Sequence, residues 1–245
     1  MAKQPHIGVD ETQIAPLVIV CGEPDRANRI ASLLEHAELV AENREYRIFA
    51  GTYQGKAISV CSTGIGAPSM IIAVEELKFC GVTHIVRVGS AGAMQSHIGL
   101  GELIVAEGAV RDEGGSAAYV KPSYPAYASF SLLKELDGFL QQQSTPYYLG
   151  TVRSHDSFYT DDEQAICQYW NGKGILGADM ETSALFTVGR LRGVNVASIL
   201  NNVVLYEQDV KDGVGQYVDE AQVMMEGERL ASLAALAALA ALIAQ

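Results

Sequence analysis

Apolar positions along the chain recur with two periods that alternate. Leu17–Cys21 is an unbroken apolar, β-branched run closed by Gly22-Glu23-Pro24-Asp25-Arg26, and helical spacing follows from Ala27 to about Leu34, so a buried strand, a turn and a helix are predicted. Tyr46–Ala50 and Ala57–Cys61 are two further β-rich runs on either side of Gln54-Gly55-Lys56, the pattern of an antiparallel hairpin and hence of a mixed sheet. A helix is expected from Pro68 through Phe79, with Gly81 as its stop. His84–Val88 is a strand that runs straight into Gly89-Ser90-Ala91-Gly92, and Leu103–Ala106 is another.

Between Arg111 and Tyr127 the pattern dissolves into Gly, Ser, Pro and Tyr, a loop long enough to predict a lid or an interface. The series then continues as a helix over 126–142, strands near Tyr148–Val152, Ile175–Ala178 and Val196–Leu200, and helices from about Asp162 and over 182–192. Asp219–Ala244 is rich in Ala and Leu. Glu226, Glu228 and Arg229 interrupt its apolar run, so it is read as a packed terminal helix and not a membrane anchor. Strands alternating with helices over 245 residues predict one α/β domain, residues 1–245, with a mixed central sheet flanked by helices.

Charge narrows the partners. Seventeen Lys and Arg against 29 Asp and Glu leave −12, which repels nucleic acid and anionic lipid. No signal-peptide pattern opens the sequence, and a cytoplasmic location is expected. Cys21, Cys61, Cys80 and Cys167 are far apart without a Cys-x-x-Cys, which predicts buried reduced thiols in place of zinc or disulfides.

Strand ends followed by glycine carry the candidate chemistry. Gly22, with Arg26 in the next turn, offers backbone N–H groups and a fixed cation to an anion, though a plain βα turn with a surface arginine has the same residues. Arg87 stands inside an apolar strand, where a guanidinium needs a carboxylate partner or a bound anion. Neither Gly64-Ile65-Gly66 nor Gly89-Ser90-Ala91-Gly92 has Gly-x-Gly-x-x-Gly spacing, which disfavours nicotinamide cofactors. Asp179 and Glu181 flank Met180 at a strand-to-helix junction, where a carboxylate caps the helix or accepts from sugar hydroxyls while methionine lies against an apolar sugar face. Ser154-His155-Asp156 has the residue types of a catalytic triad, but three consecutive residues cannot form the relay.

These blocks, in this order, resemble the hexameric branch of the nucleoside phosphorylases, its uridine-cleaving members most closely, from about His6 to Leu200. Gly22-Glu23-Pro24-Asp25-Arg26 is similar to the first phosphate loop, Asn43-Arg44-Glu45-Tyr46 to the segment that donates an arginine to a neighbour, and Cys61–Ser69 to the motif opening the first long helix. Arg87-Val88-Gly89-Ser90-Ala91-Gly92 resembles the second phosphate motif and Met180-Glu181 the ribose motif.

The resemblance implies reversible phosphorolysis of a ribonucleoside, uridine or a related pyrimidine nucleoside, to free base and ribose 1-phosphate, within nucleoside salvage. Carried over by position, Gly22, Arg26, Arg87 and Ser90 bind phosphate, with Arg44 arriving from an adjacent subunit; Arg26, Arg87 and Glu181 are the catalytic set. Glu181 binds ribose hydroxyls, Met180 packs on the sugar, and His6 from the neighbour closes over its far end. The implied assembly is a homohexamer built as three dimers, with phosphate as co-substrate and no required cofactor. Glu45, Ile65 and Ser69 occupy the positions at which some relatives hold a potassium ion between subunits.

The base pocket departs from the pattern. Phe158 and Tyr159 match the uridine-cleaving members, but the two uracil-reading positions hold Asp162 and Gln164, and Asp179 replaces a glutamate. The aspartate that protonates purines elsewhere in the family falls near Val204, beside Val203, with Asn202 and Asp209 as substitutes if the loop differs. A purine nucleoside phosphorylase, a hydrolytic nucleosidase of the same fold and a silent nucleoside-binding protein therefore remain as alternatives, the nucleosidase disfavoured by the three arginines together.

Overall fold

A parallel strand buried on both faces must be apolar throughout, and β1 (Leu17–Cys21) is such a strand. In the computed structural model, which describes residues 2–206 and 217–242, it lies between two parallel neighbours, β4 (Lys56–Ser62) and β5 (His84–Ala93), in a ten-stranded mixed sheet. On one side β4 leads antiparallel to β3 (Tyr46–Tyr53) and then β2 (Glu35–Asn43), which forms the edge. The β3–β4 turn is the predicted hairpin, with Gln54 and Gly55 at φ 49° and 76°, the left-handed pair a two-residue turn requires.

On the other side β5 pairs with β10 (Asn195–Val204), β10 with β6 (Leu103–Asp112), and β6 with β8 (Tyr147–His155). β8 then pairs with β9 (Gly177–Asp179), which returns to β5 at Gly92 and Ala93. Five strands thus close into a ring, and β5 belongs both to that ring and to the open half. β7 (Ala126–Tyr127) pairs only with β6.

Helices cover both faces. α2 (Ala67–Phe79) packs with α5 (Thr182–Leu191) on one, together with Ile7, Val9 and Ile14 of the N-terminal arm. α1 (Pro24–Ala31), α3 (Phe130–Leu140) and α6 (Tyr217–Ala240) form the other core. α4 (Glu163–Asn171) buries none of its residues. α6 approaches the sheet closely through Gly227, where a β-carbon would collide with the Asn201 side chain and the Gly101 backbone. Among the described residues no helix is long and apolar enough to cross a membrane.

The predicted elements are present with shifted ends, and the shifts have causes. α1 starts at Pro24, whose missing N–H costs nothing in a first turn, and stops at Ala31. β2 goes unpredicted because Glu35–Leu39 are exposed and carry no apolar alternation. α3 begins four residues late because Ala126 and Tyr127 are drawn into pairing with β6. The 111–127 stretch corrects the lid expectation: Arg111 donates to the carbonyls of Ser116, Val120, Lys121 and Tyr124, stapling the segment, and none of its residues lines the main cavity. Three cysteines are buried as free thiols, while Cys167 is only half-buried.

Candidate active site

β1 and β5 are adjacent and parallel, so their C-terminal ends deliver glycines and first-turn side chains to the same place. There the structure has a cavity of about 1120 Å³. Gly22 and Arg26 enter its wall from the first strand end, Arg87 and Ser90 from the second, and Met180 and Glu181 from the junction of β9 with α5.

Arg87 is 3% exposed. Its Nε donates to Asp179 Oδ2 at 3.1 Å and its Nη2 to Glu181 Oε2 at 2.5 Å, while Nη1 is buried without a partner. Of the two partners the sequence allowed, carboxylates hold two nitrogens and one nitrogen is left over. Gly89 makes room for this arrangement, since a β-carbon there would lie 2.6 Å from Arg87 Nη2.

Asp179 is saturated: it also accepts from the Thr182 N–H at 3.0 Å, the Thr182 hydroxyl at 2.6 Å and the Ser154 hydroxyl at 2.5 Å, and so caps α5. Glu181 Oε1 accepts from the Gly66 N–H at 2.6 Å. Gly66 stands at φ 91°, a conformation that side chains resist, and this aims its N–H at the carboxylate. Burial pushes the Glu181 carboxyl up from its ordinary value, against the pull of Arg87.

Arg26 has two anchors. Nη2 donates to Ser90 Oγ at 2.7 Å, linking the two strand ends, and Nε donates to Glu228 Oε2 at 2.7 Å. Glu228 is a buried carboxylate on α6 that also accepts from Arg29 Nε at 2.5 Å and Nη2 at 2.9 Å. Burial alone would raise it, yet the hydrogen bonds from Arg29 and Arg26 hold it below the usual carboxylate range. Sequence reasoning missed Glu228 as a site residue, although a carboxylate interrupting an apolar helical run was the available signal. Cys21, beneath both arginines, is kept inert by burial, which pushes its thiol up to about 12.

Phe158, Gln164, Val203 and Val204 line the other end of the cavity, with Tyr159. Asp162 does not: it stands exposed at the N-cap position of α4, a correction to its expected place at the base. Asp209 lies outside the described residues. Arg44 and His6 are also absent from this cavity. Arg44 is exposed in the β2–β3 turn at φ 56°, and His6 is fixed to buried Glu76, which bonds its Nδ1 at 2.6 Å and accepts backbone N–H groups of His6 and Ile7 at 3.0 and 2.8 Å.

Glu45, Ile65 and Ser69 do line the cavity, and Ser69 Oγ donates to Glu45 Oε1 at 3.0 Å. A carboxylate, a hydroxyl and a backbone carbonyl are hard oxygen donors that suit an alkali cation. No cluster of His, Cys, Asp and Glu fit for a metal occurs among the described residues. The Ser154-His155-Asp156 segment forms no relay. Ser154 serves Asp179, Asp156 accepts from the Gly114 N–H at 2.7 Å, and His155 Nδ1 bonds the Ser157 carbonyl at 2.9 Å while its ring lines the cavity.

Comparison with known proteins places this geometry. The family model described as the phosphorylase superfamily matches residues 16–242. A guanosine phosphorylase of Halorubrum lacusprofundi is 37% identical over 225 residues, covering 91% of this chain and 93% of the relative. A uridine phosphorylase of Haemophilus influenzae is 34% identical over 214 residues, covering 81% and 85%. The crystal structure of uridine phosphorylase from Vibrio fischeri ES114 superposes with a TM-score of 0.93 at 71% identity and covers 98% of each chain.

Proposed function

The chain belongs to the phosphorylase superfamily, and from that premise we propose that it is a nucleoside phosphorylase, a pentosyltransferase whose first substrate is uridine. The observation that carries the reading is the convergence of Arg26, Arg87 and Ser90 on one wall of a cavity that also holds Met180 and Glu181. Phosphate arrives already anionic and needs no base to activate it. The protein's task is to hold it beneath the sugar in attacking geometry and away from water.

Gly22, Arg26, Arg87 and Ser90 bind the phosphate, and the unpaired Arg87 Nη1 gives it a buried donor. Glu181 accepts from the ribose hydroxyls through the lone pairs that Gly66 and Arg87 leave free, and Met180 lies against the sugar. As the C1′–N bond breaks, the sugar gains positive character beside the phosphate and the base leaves with negative charge. Phosphate oxygen then bonds C1′, and the proton that hydrogen phosphate gives up on becoming the ester passes to the departing base anion, giving ribose 1-phosphate and free base. Phe158, Gln164, Val203 and Val204 surround the base.

Arg44 and His6 act in a neighbour's cavity. Both lie outside their own, and Ile65, 78% exposed at the cavity rim, is apolar surface for a partner to cover. The assembly is a homohexamer of three dimers, at work in cytoplasmic nucleoside salvage. Glu45, Ser69 and the Ile65 carbonyl would hold a potassium ion there, which would neutralise charge between subunits. The relative that cleaves guanosine supports a second reading, a 6-oxopurine nucleoside as substrate.

Base release from uridine, thymidine, inosine, guanosine, adenosine and methylthioadenosine, each with and without phosphate, tests the proposal. Phosphate-dependent release from uridine is expected. Release without phosphate would make the chain a nucleosidase, and no release from any would leave a binding protein; either overturns it.

A further inference from the structure

His155 is a cavity group that the proposed chemistry leaves without a task. It closes β8, where its backbone is in register with Asp112 of β6, so its ring sits on the sheet and not on a loop. Nδ1 faces the Ser157 carbonyl at 2.9 Å. A carbonyl can only accept, so Nδ1 carries the proton, and in the neutral ring Nε2 is left as a bare acceptor. Burial, with Arg153 behind it, pushes the imidazole's pKa down and favours that neutral form. Nε2 makes no hydrogen bond among the described residues.

Nucleobases differ in what they offer such an acceptor. Uracil and thymine carry an N–H between two carbonyls, and guanine and hypoxanthine carry one beside a carbonyl. Cytosine and adenine present a ring-nitrogen lone pair at the same edge. Phe158, Val203 and Val204 offer no side-chain acceptor; of the two positions at which the resemblance placed a base reader, Asp162 lies outside the cavity, while Gln164 lines it with an amide that both donates and accepts and is the rival the test must separate. We propose that His155 Nε2 accepts the ring N–H of the base and so selects oxo bases over amino bases. The inference rests on the phosphorylase reading and deepens it.

Steady-state kinetics with uridine, N3-methyluridine and cytidine test it, on the wild-type enzyme and on His155→Ala and His155→Asn. Wild type is expected to prefer uridine to both analogues, and His155→Ala to lose at least about tenfold in kcat/KM for uridine, mainly through KM, while N3-methyluridine changes little. His155→Asn, whose amide oxygen also accepts, is expected to recover part of the loss. An unchanged uridine to N3-methyluridine ratio in His155→Ala overturns the proposal, as does loss of that ratio in Gln164→Leu, Asp161→Asn or Glu163→Gln instead, since all three side chains also line the cavity. Wild type that accepts N3-methyluridine as readily as uridine overturns it without any variant. If no nucleoside is cleaved, the phosphorylase reading fails; calorimetric binding of uracil against 3-methyluracil then still decides the role of His155.

Discussion

The two ends of the cavity are built on opposite plans. At the proposed phosphate end both of the chain's own cations are tied to buried carboxylates: Arg87 to Asp179 and Glu181, Arg26 to Glu228, with Ser90 bridging the strand ends. At the base end α4 buries nothing, and Phe158 and Tyr159 are 41% and 71% exposed. The difference follows from what each end must recognise. Phosphate is the same whichever nucleoside is cleaved, so its donors can be locked in place before it arrives. A base must be told from other bases, and side chains on a lightly packed helix can change without disturbing the sheet.

That contrast breaks hardest at Arg87. Replacing it with alanine is expected to lower kcat/KM for phosphate by about 10²–10³. It also strands Asp179 and Glu181 as buried, uncompensated charges, a loss of about 3–5 kcal/mol. Kinetics and urea unfolding on the same preparation read both effects, and near-normal turnover would remove Arg87 from the mechanism. Stability should therefore fall along with activity, which the sequence alone did not suggest.

Glu228 sharpens the comparison next. Glu228→Gln keeps the shape but weakens the hold on Arg26, and is expected to raise KM for phosphate by roughly tenfold with the nucleoside KM nearly unchanged. The pH dependence has a definite sign. The folded-state pKa of Glu228 lies below its ordinary 4.5, so its contribution to stability is fully present above about pH 4.5 and is lost as pH falls through the lower, folded value. The Tm difference between wild type and Glu228→Gln should stay constant above that point and shrink below it; a constant difference down to pH 3 would contradict the argument. The smallest effect belongs to the base end, where Tyr159→Ala is expected to change stability by no more than about 0.5 kcal/mol while altering discrimination among bases. Thermal unfolding set beside the nucleoside panel checks this.

How much of this was legible depends on how local each interaction is. That Gly22, Arg26, Arg87 and Ser90 come together in one cavity could be read because a strand, a glycine and a charged residue follow one another directly in the chain. Met180-Glu181 could be read for the same reason. Glu228 could not be assigned, because its partners Arg26 and Arg29 lie 202 and 199 residues away and, beside Glu226 and Arg229, it looks like one more charge on a helix surface. From its neighbours in sequence Asp179 is either a cap or a sugar ligand, and the structure makes it a cap that also carries Arg87. β2 escaped because an exposed edge strand has no buried face to impose a period. His155 stands between Ser154 and Asp156 in a sequence that forms no triad, and its place on the cavity wall follows only from the β6–β8 register.

The dependence of Arg26 on Glu228 also sets an order of events during synthesis. A chain shorter than 228 residues already holds β1, β4 and β5, yet its Arg26 has no Glu228 to steady it. Catalytic competence is thereby deferred until α6 has been made and has docked through Gly227. Fragments released early would carry most of the sheet and little of the activity, so turnover per folded molecule reports whether translation ran past that helix.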